Sequence, residues 1–419
     1  MQMLSPVQTK EREVFMDVLR GFAILGIFIA NLDSFNFFNE QAHATGPFLL
    51  QKWDHKMLFL HHMFVEGKFY SIFSLLFGWG IALQVKRGLE NGINPIPTIK
   101  RRLGFMLVLG FAHLMIWFGD IVLFYALLGF VLLPLRRFSN KILLVTGAIL
   151  ILLPILLYAA KIKWPWLNAP ADFLFKTGQK LDTKLLGITS ETSEARYAFL
   201  EKNAGWWDIF KGNLSGIFYR YGYLLFVSRI PKVLGMFLVG YVVGRSDFYK
   251  NILRHKKTLY RIIGLGLAIG LPANYMLGHY MSWYEGDYFG FKIKGLYQTI
   301  AYAAGVAPLA LVYVALFMLS FQTRTGKKIL SLIAPVGKMA FSNYIMHSLI
   351  GNFVFLHAGL GYGGRVGPVY CTLFGLCVFI VQIILSTAWL KYFNYGPLEW
   401  LWRSATYKKW QPMRKNIPA

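Results

Sequence analysis

The residues best suited to chemistry are a histidine and an acid in a stretch with few other polar side chains. His113 and Asp120 lie seven positions apart between Arg102 and Ala126, flanked by Phe111, Leu114, Met115 and Trp117. A neutral imidazole is the usual general base near pH 7, and a nearby carboxylate can orient it. Seven residues of continuous helix put the two on one face but ~10 Å apart, so direct contact would need a bend or a bridging water. The competing reading is a core histidine satisfied by its packing.

Other polar groups fall within apolar segments, where an ionisable side chain costs ~2.5–3.5 kcal/mol or more at the bilayer centre unless paired or wet. Asp17 and Arg20 have the spacing of an i,i+3 ion pair, which suits either a topology-fixing salt bridge or the polar wall of an inner cavity mouth. Asn31 follows about three turns along the same face, where a hydrogen bond to another helix is the alternative. Glu66 and Lys68 open a run rich in Phe, Leu and Gly and need partners if buried. Asn343 and His347 share a helical face beside Ser342, which fits a substrate-lining stripe or interhelical bonding equally well. Asp17, Arg20, Asn31, Glu66, Lys68, Asn343 and His347 form the expected substrate-binding set. His61 and His62 are adjacent, hence ~100° apart on a helix, and no metal site is expected from them. Cys371 and Cys377 imply neither a disulfide framework nor a metal site.

These groups must be positioned by helices in a bilayer. With 56% hydrophobic and only 15% charged residues among 419, the chain lacks the polar surface of a water-soluble globule. A span takes ~20 apolar residues. Such runs lie near 14–35, 57–85, 103–118, 121–136, 141–160, 230–246, 259–278, 296–320, 333–356 and 367–391. The expected fold is therefore all-α, a polytopic transmembrane helix bundle of about ten spans. The first run is read as a retained helix rather than a cleaved signal. The third and fourth runs are joined by a tight turn at Gly119-Asp120.

The formal charge of +25 sits in short clusters between apolar runs, which is topology-setting charge beside anionic lipid rather than a nucleic-acid surface. Basic loops alternate with poor ones, so both termini are expected in the cytoplasm. The stretch from residue 161 to 226 is too polar to span, and it separates a five-helix half at 1–160 from a second membrane half at 227–419. Long loops translocate largely regardless of charge, so it is expected outside, with Ala195–Glu201 and Gly205–Phe226 as interfacial aromatic helices. No internal repeat of the kind seen in two-repeat transporters is visible.

The chain resembles the bacterial YeiB-type family, domain of unknown function 418, over essentially its whole length. The resemblance is carried by Asp17-Val-Leu-Arg20-Gly21 with Gly26 and Asn31, by Gly67-Lys68-Phe69 leading into Leu76-Phe77-Gly78, by His113 with Gly119-Asp120 and Tyr125-Ala126, by Gly337-Lys338-Met339-Ala340 with Asn343-Tyr344, and by Gly396-Pro397-Leu398-Glu399-Trp400 through Arg403. More distantly, Asp-x-x-Arg-Gly-x-Ala is similar to the opening of the acyltransferase-3 family, whose histidine position holds Asn31 here. The heparan-alpha-glucosaminide N-acetyltransferase group also opens this way with Asn, and its active histidine falls in the following outer loop, where this chain has His43.

That similarity implies a membrane acyltransferase moving an acyl group from cytoplasmic acyl-CoA to an envelope or extracytoplasmic acceptor. His113, Asp120 or His43 would be catalytic, and Arg87, Arg101, Arg102 and Arg137 would hold the donor's phosphates. No cofactor is expected; acyl-CoA would be a substrate. The alternatives are a transporter or exporter using Asp120, Lys68, Glu66 and His347 as a path, or a non-catalytic membrane component. The expected partners are the lipid bilayer, a small-molecule, lipid or glycan substrate and further copies of the chain in a homo-oligomer, at the bacterial plasma membrane.

Overall fold

The computed structural model describes residues 14–37, 49–189, 193–246, 248, 255–283 and 288–415. It is 82% helix. The helices are α1 Val14–Asn36, α2 Gln51–Phe64, α3 Lys68–Glu90, α4 Ile96–Leu114, α5 Val122–Leu135, α6 Asn140–Lys163, α7 Ala169–Leu186, α8 Ser193–Lys202, α9 Trp206–Phe226, α10 Arg229–Arg245, α11 Lys256–Trp283, α12 Ile293–Ser320, α13 Arg324–Leu330, α14 Ala334–Lys338, α15 Ala340–Phe355, α16 Pro368–Tyr392 and α17 Pro397–Tyr407. Among the described residues the one β feature is an isolated bridge between Phe393 and Arg414.

Six stretches are long and apolar enough to cross a membrane, and at most eight if two bent pairs each count as one, α9 with α10 (73°) and α13–α14 with α15 (74°). The expected spans at 103–118 and 121–136 are not among them. Lys100, Arg101 and Arg102 occupy the early turns of α4, and α5 has only 14 residues, ~21 Å against a hydrocarbon layer of ~30 Å. The expected span at 57–85 lies within one of the six, Lys52–Glu90, which is interrupted between α2 and α3, where Gly67 takes φ 81°. Only glycine adopts that backbone freely, and a Cβ there would lie 2.5 Å from the Tyr302 hydroxyl. The break between α9 and α10 falls at Val227 and Ser228, the latter with φ 51°.

The centre of the bundle is built by α1, α3, α10 and α12. Of the apolar windows in α1 and α12, 61% is buried, against 22–28% in α6, α11 and α16, which ring the outside. Helices cross closely in the centre because glycines let backbones touch. A Cβ at Gly337 would sit 1.7 Å from the Asp17 carbonyl oxygen, and one at Gly21 would sit 2.4 Å from that of Ile333. The sequence motifs around Asp17 and Gly337 are thus the two sides of one crossing.

Helix α17 is a strap on the end opposite the α4–α5 turn. Glu399 accepts from the backbone N–H groups of Phe341 (2.7 Å) and Ser342 (3.1 Å) and from Ser342 Oγ (2.6 Å). It therefore satisfies orphan donors at the start of α15. Trp402 donates to the Arg102 carbonyl at 3.1 Å, and Arg101 Nε donates to the Thr406 carbonyl at 3.1 Å. One short helix thus fixes the beginnings of α4 and α15 relative to each other. Segment 161–226 folds as α7, α8 and α9; α8 and α9 are helical where helices were expected, while α7 lies where no element was expected. Arg196, buried between them, pairs with Asp182 and donates to Ser215 Oγ (2.9 Å) and the Gly212 carbonyl (2.5 Å).

Candidate active site

The turn between α4 and α5 spans residues 115–121, longer than the Gly119-Asp120 turn expected, because α4 already ends at Leu114. Two asparagines from other helices hold it. Asn213 of α9 donates to the carbonyls of Met115 (3.0 Å) and Ile116 (2.9 Å) and accepts from Phe118 N–H (3.2 Å), while Asn352 of α15 donates to Ile116 (2.7 Å). These bonds satisfy carbonyls that a helix end would otherwise leave orphaned. Gly119 is required by the fold of the turn, since a Cβ there would lie 2.2 Å from the Trp117 indole. Asp120 Oδ2 then accepts from Leu123 N–H at 2.7 Å and caps α5.

The turn brings Asp120 back onto His113. Nδ1 of His113 lies 2.7 Å from Asp120 Oδ1, and Nε2 lies 2.8 Å from Ser348 Oγ of α15. The continuous-helix separation of ~10 Å does not apply because the helix has ended. With Asp120 ionised, Nδ1 carries the hydrogen and Nε2 accepts from the serine hydroxyl. This is the serine–imidazole–carboxylate connectivity that generates a nucleophile in hydrolases and acyltransferases, recognised by geometry rather than by chain order. All three residues are buried, at 1–2% exposure. The Tyr344 ring packs edge-on against the imidazole at 4.9 Å, and its hydroxyl accepts from Ile121 N–H at 3.3 Å. A narrow cleft lined by Phe35, Trp117, Phe118, Arg196 and Asn352 lies beside the site. Asn352 is one turn of α15 from Ser348 on the same face, ~6 Å along the axis.

A second polar cluster gathers where the two helix breaks meet. Glu66, between α2 and α3, lies 3.6 Å from Arg229, the first residue of α10. The Tyr302 hydroxyl of α12 is 3.3 Å from Glu66 Oε1, 3.0 Å from the Tyr70 hydroxyl and 3.3 Å from Arg229 Nη2. Lys68 is fully buried and donates to the His62 carbonyl at 2.8 Å. Tyr125 donates to the Tyr70 carbonyl at 2.9 Å and pairs with Ser74 at 2.6 Å. Arg220 of α9 is within electrostatic reach of both Arg229 and Asp120, so the two clusters adjoin.

The remaining candidates are distributed as follows. Asp17 and Arg20 form their ion pair at 2.9 Å. Arg20 and Arg403 lie within electrostatic reach of Arg102, whose guanidinium stacks 4.5 Å from the Trp402 ring. Arg101 turns to α17 instead, while Arg87 lies in the last turn of α3 and Arg137 just past the end of α5. Asn343 donates to Ser386 Oγ (3.1 Å) and the Val336 carbonyl (3.2 Å), His347 bonds Gln382 (2.8 Å) and stacks on Phe28 at 4.0 Å, and both tie α15 to its neighbours rather than meeting His113. Asn31 is half-buried on α1, and His43 lies outside the described residues. Reading the sequence did not single out Ser348, Arg220, Arg229, Lys232 or Gln382. Ser348 directly follows His347; Arg229 and Lys232 open a span and have the pattern of loop charge.

Residues 243–409 match the model of a family described as "Protein of unknown function (DUF418)". Over 99% of its length the chain is 32% identical to "Uncharacterized protein YxaH" of Bacillus subtilis, of which it covers 99%. The chain belongs to the DUF418 family. Its DUF418 relatives include "Uncharacterized protein YeiB" of Escherichia coli, 29% identical over 95% of this chain and 97% of that protein, and a 39.9 kDa protein from Bacillus acidopullulyticus, 27% identical with 98% of each covered. No solved structure matches. The DUF418 match includes Ser348 and the Glu399 strap, while His113 and Asp120 lie upstream of it.

Proposed function

We propose that this DUF418 member is a membrane-embedded acyltransferase of the bacterial plasma membrane, with Ser348, His113 and Asp120 as its catalytic groups. The single observation behind this is the buried hydrogen-bonded chain from Ser348 Oγ through His113 to Asp120. In the first half-reaction Ser348 Oγ attacks the acyl carbonyl, His113 Nε2 takes the hydroxyl proton, and the leaving group departs with that proton. In the second, His113 deprotonates an acceptor hydroxyl or amine, which displaces Ser348 from the acyl group and returns the proton to it. Asp120 holds the imidazole in the reactive tautomer throughout.

The topology proposed is eight spans with both termini cytoplasmic, α4 and α5 forming a re-entrant hairpin whose turn reaches ~21 Å from the basic Arg136-Arg137 end. On that reading Arg20, Arg102 and Arg403 face the cytoplasm. Arg102 and His113 stand on one helix ~16 Å apart, a spacing suited to a donor with phosphates at one end and a thioester at the other. The donor proposed is acyl-CoA, and the acceptor, an envelope lipid, glycan or small molecule, enters beside Trp117. Purified protein in liposomes incubated with radiolabelled acyl-CoA tests this: covalent labelling or acceptor-dependent release of CoA supports transfer. A carrier is the second reading, favoured by the charged meeting point of two broken helices. Vectorial uptake with neither labelling nor CoA release selects it.

A further inference from the structure

The cluster at the two helix breaks has more positive charge than its own acids balance. Arg229 and Lys232 both lie against the Tyr302 ring, Lys68 is buried at the start of α3 and Arg220 is within electrostatic reach of Arg229, while Glu66 is the carboxylate that pairs with Arg229. The neighbouring Asp120 is already committed to His113 and Leu123. Counting Glu66, the formal excess is about +3 in a medium where each uncompensated charge costs ~2.5–3.5 kcal/mol or more. Natural interiors pair such charges or hold a counterion against them.

Three features leave donors there without a side-chain partner. Lys232 is 7% exposed, and the one described contact of its ammonium is the face of the Tyr302 ring at 4.0 Å. A lysine with three donors needs acceptors as well as a π-face. The Nε atoms of Arg220 and Arg229 are buried without a hydrogen-bond partner. The helices that begin at this point, α3 and α10, have no side-chain cap on their first turns. Their orphan N–H groups and positive dipole ends add to the same potential. Tyr70 and Tyr302 wall the site and stack on Arg229 at 4.9 and 5.8 Å, keeping the guanidinium in one orientation.

We propose that the meeting point of the α2–α3 and α9–α10 breaks is a buried binding site for a phosphate group, held by Arg220, Arg229, Lys232 and Lys68. Two guanidiniums with free donors match a tetrahedral oxyanion better than a carboxylate, which the existing Glu66 pair already models. Arg220 is within electrostatic reach of Asp120, so the phosphate site neighbours the Ser348–His113–Asp120 chain. That this phosphate belongs to the molecule being acylated rests on the acyltransferase reading; the binding itself does not. The same chemistry is offered by a phospholipid headgroup and by a free phosphorylated solute.

The test uses the full-length protein in phosphate-free buffer, with its thermal midpoint followed by tryptophan fluorescence. One arm titrates inorganic phosphate into protein in a neutral detergent. The other compares nanodiscs of phosphatidylcholine alone with nanodiscs containing phosphatidylglycerol. A saturable rise in midpoint with inorganic phosphate supports the site and identifies a soluble ligand; a rise confined to phosphatidylglycerol supports it and identifies a headgroup. Lys232→Gln and Arg229→Gln should weaken either response at least tenfold, with Arg229→Lys retaining more of it than Arg229→Gln. Without anion, Lys232→Gln should have a midpoint equal to or above that of the unsubstituted protein, because it removes an unbalanced buried charge. No saturable response in either arm, an unchanged response in both Gln variants, or an anion-free midpoint lowered by Lys232→Gln would each overturn the proposal. Ser348→Ala should bind phosphate as the unsubstituted protein does. Binding that survives while Ser348 proves unreactive would end the acyltransferase reading and leave the phosphate site standing.

Discussion

Replacing Asp120 by Asn tests the catalytic reading at its most sensitive point, because the carboxylate accepts two hydrogen bonds of 2.7 Å, from His113 Nδ1 and from Leu123 N–H. A carboxamide of the same shape can accept only one of them. If its oxygen keeps Leu123, its NH2 group faces Nδ1, which must then be the acceptor; Nε2 becomes the donor toward Ser348 and can no longer take the hydroxyl proton. If the oxygen faces His113 instead, the NH2 group meets Leu123 N–H, and a buried donor left unsatisfied costs about 1–3 kcal/mol. The tautomer switch is therefore the cheaper outcome and the destabilisation small. The equivalent change in serine proteases lowers turnover about 10,000-fold, or roughly 5 kcal/mol of transition-state stabilisation. The assay need not know the acceptor: the rate at which a fluorophosphonate probe labels Ser348 in purified protein should fall by at least a thousandfold, with the thermal midpoint nearly unchanged. Labelling within tenfold of the unsubstituted rate would refute the argument that Asp120 sets the tautomer.

Other outcomes follow from the same contacts. His113→Gln keeps a hydrogen-bonding side chain but loses the basic nitrogen, so probe labelling and acyl transfer should vanish while expression stays normal; retained transfer would make His113 structural. Glu399→Ala orphans the N–H groups of Phe341 and Ser342 at the start of α15, and should lower stability by about 2–3 kcal/mol in denaturant titrations; an unchanged midpoint would mean α17 is no strap. Gly119→Ala forces the Trp117 indole aside and should slow labelling of Ser348 at least tenfold, whereas an unaffected rate would separate the turn from the site. For the topology, a cysteine at the exposed Phe289 should react with an impermeant thiol reagent in intact cells and one at the exposed Lys257 should not; the reverse pattern would exchange the proposed donor and acceptor sides.

Much of the helical architecture is legible in the order of residues, since apolar runs of span length announce themselves. The aromatic stretch that becomes α9 is readable from Trp206, Trp207, Phe218, Tyr219 and Tyr223. What periodicity does not reveal is where a helix stops for tertiary reasons. The His113–Asp120 spacing is visible, yet their contact depends on α4 ending at Leu114, and that end is stabilised by Asn213 and Asn352, 98 and 236 residues from the carbonyls they bond. Ser348 lies 235 positions from His113 and comes into register through the α17 strap and the α1–α14 glycine crossing. Gly67 gives a hint of the α2–α3 break, whereas Ser228, a non-glycine residue at positive φ, gives none. Arg229 and Lys232 look like topology charge because basic residues at the start of a span usually are; only the facing break at Glu66 makes them a site.

The most direct measurement is the mass of the intact protein, reconstituted in liposomes and quenched after brief exposure to acyl-CoA without acceptor. The account predicts the added mass of one acyl group, mapped by peptide sequencing to Ser348, absent from Ser348→Ala and discharged when an acceptor is supplied. Acyl transfer that proceeds undiminished in Ser348→Ala, or acylation mapping elsewhere while Ser348 stays unmodified, would contradict it.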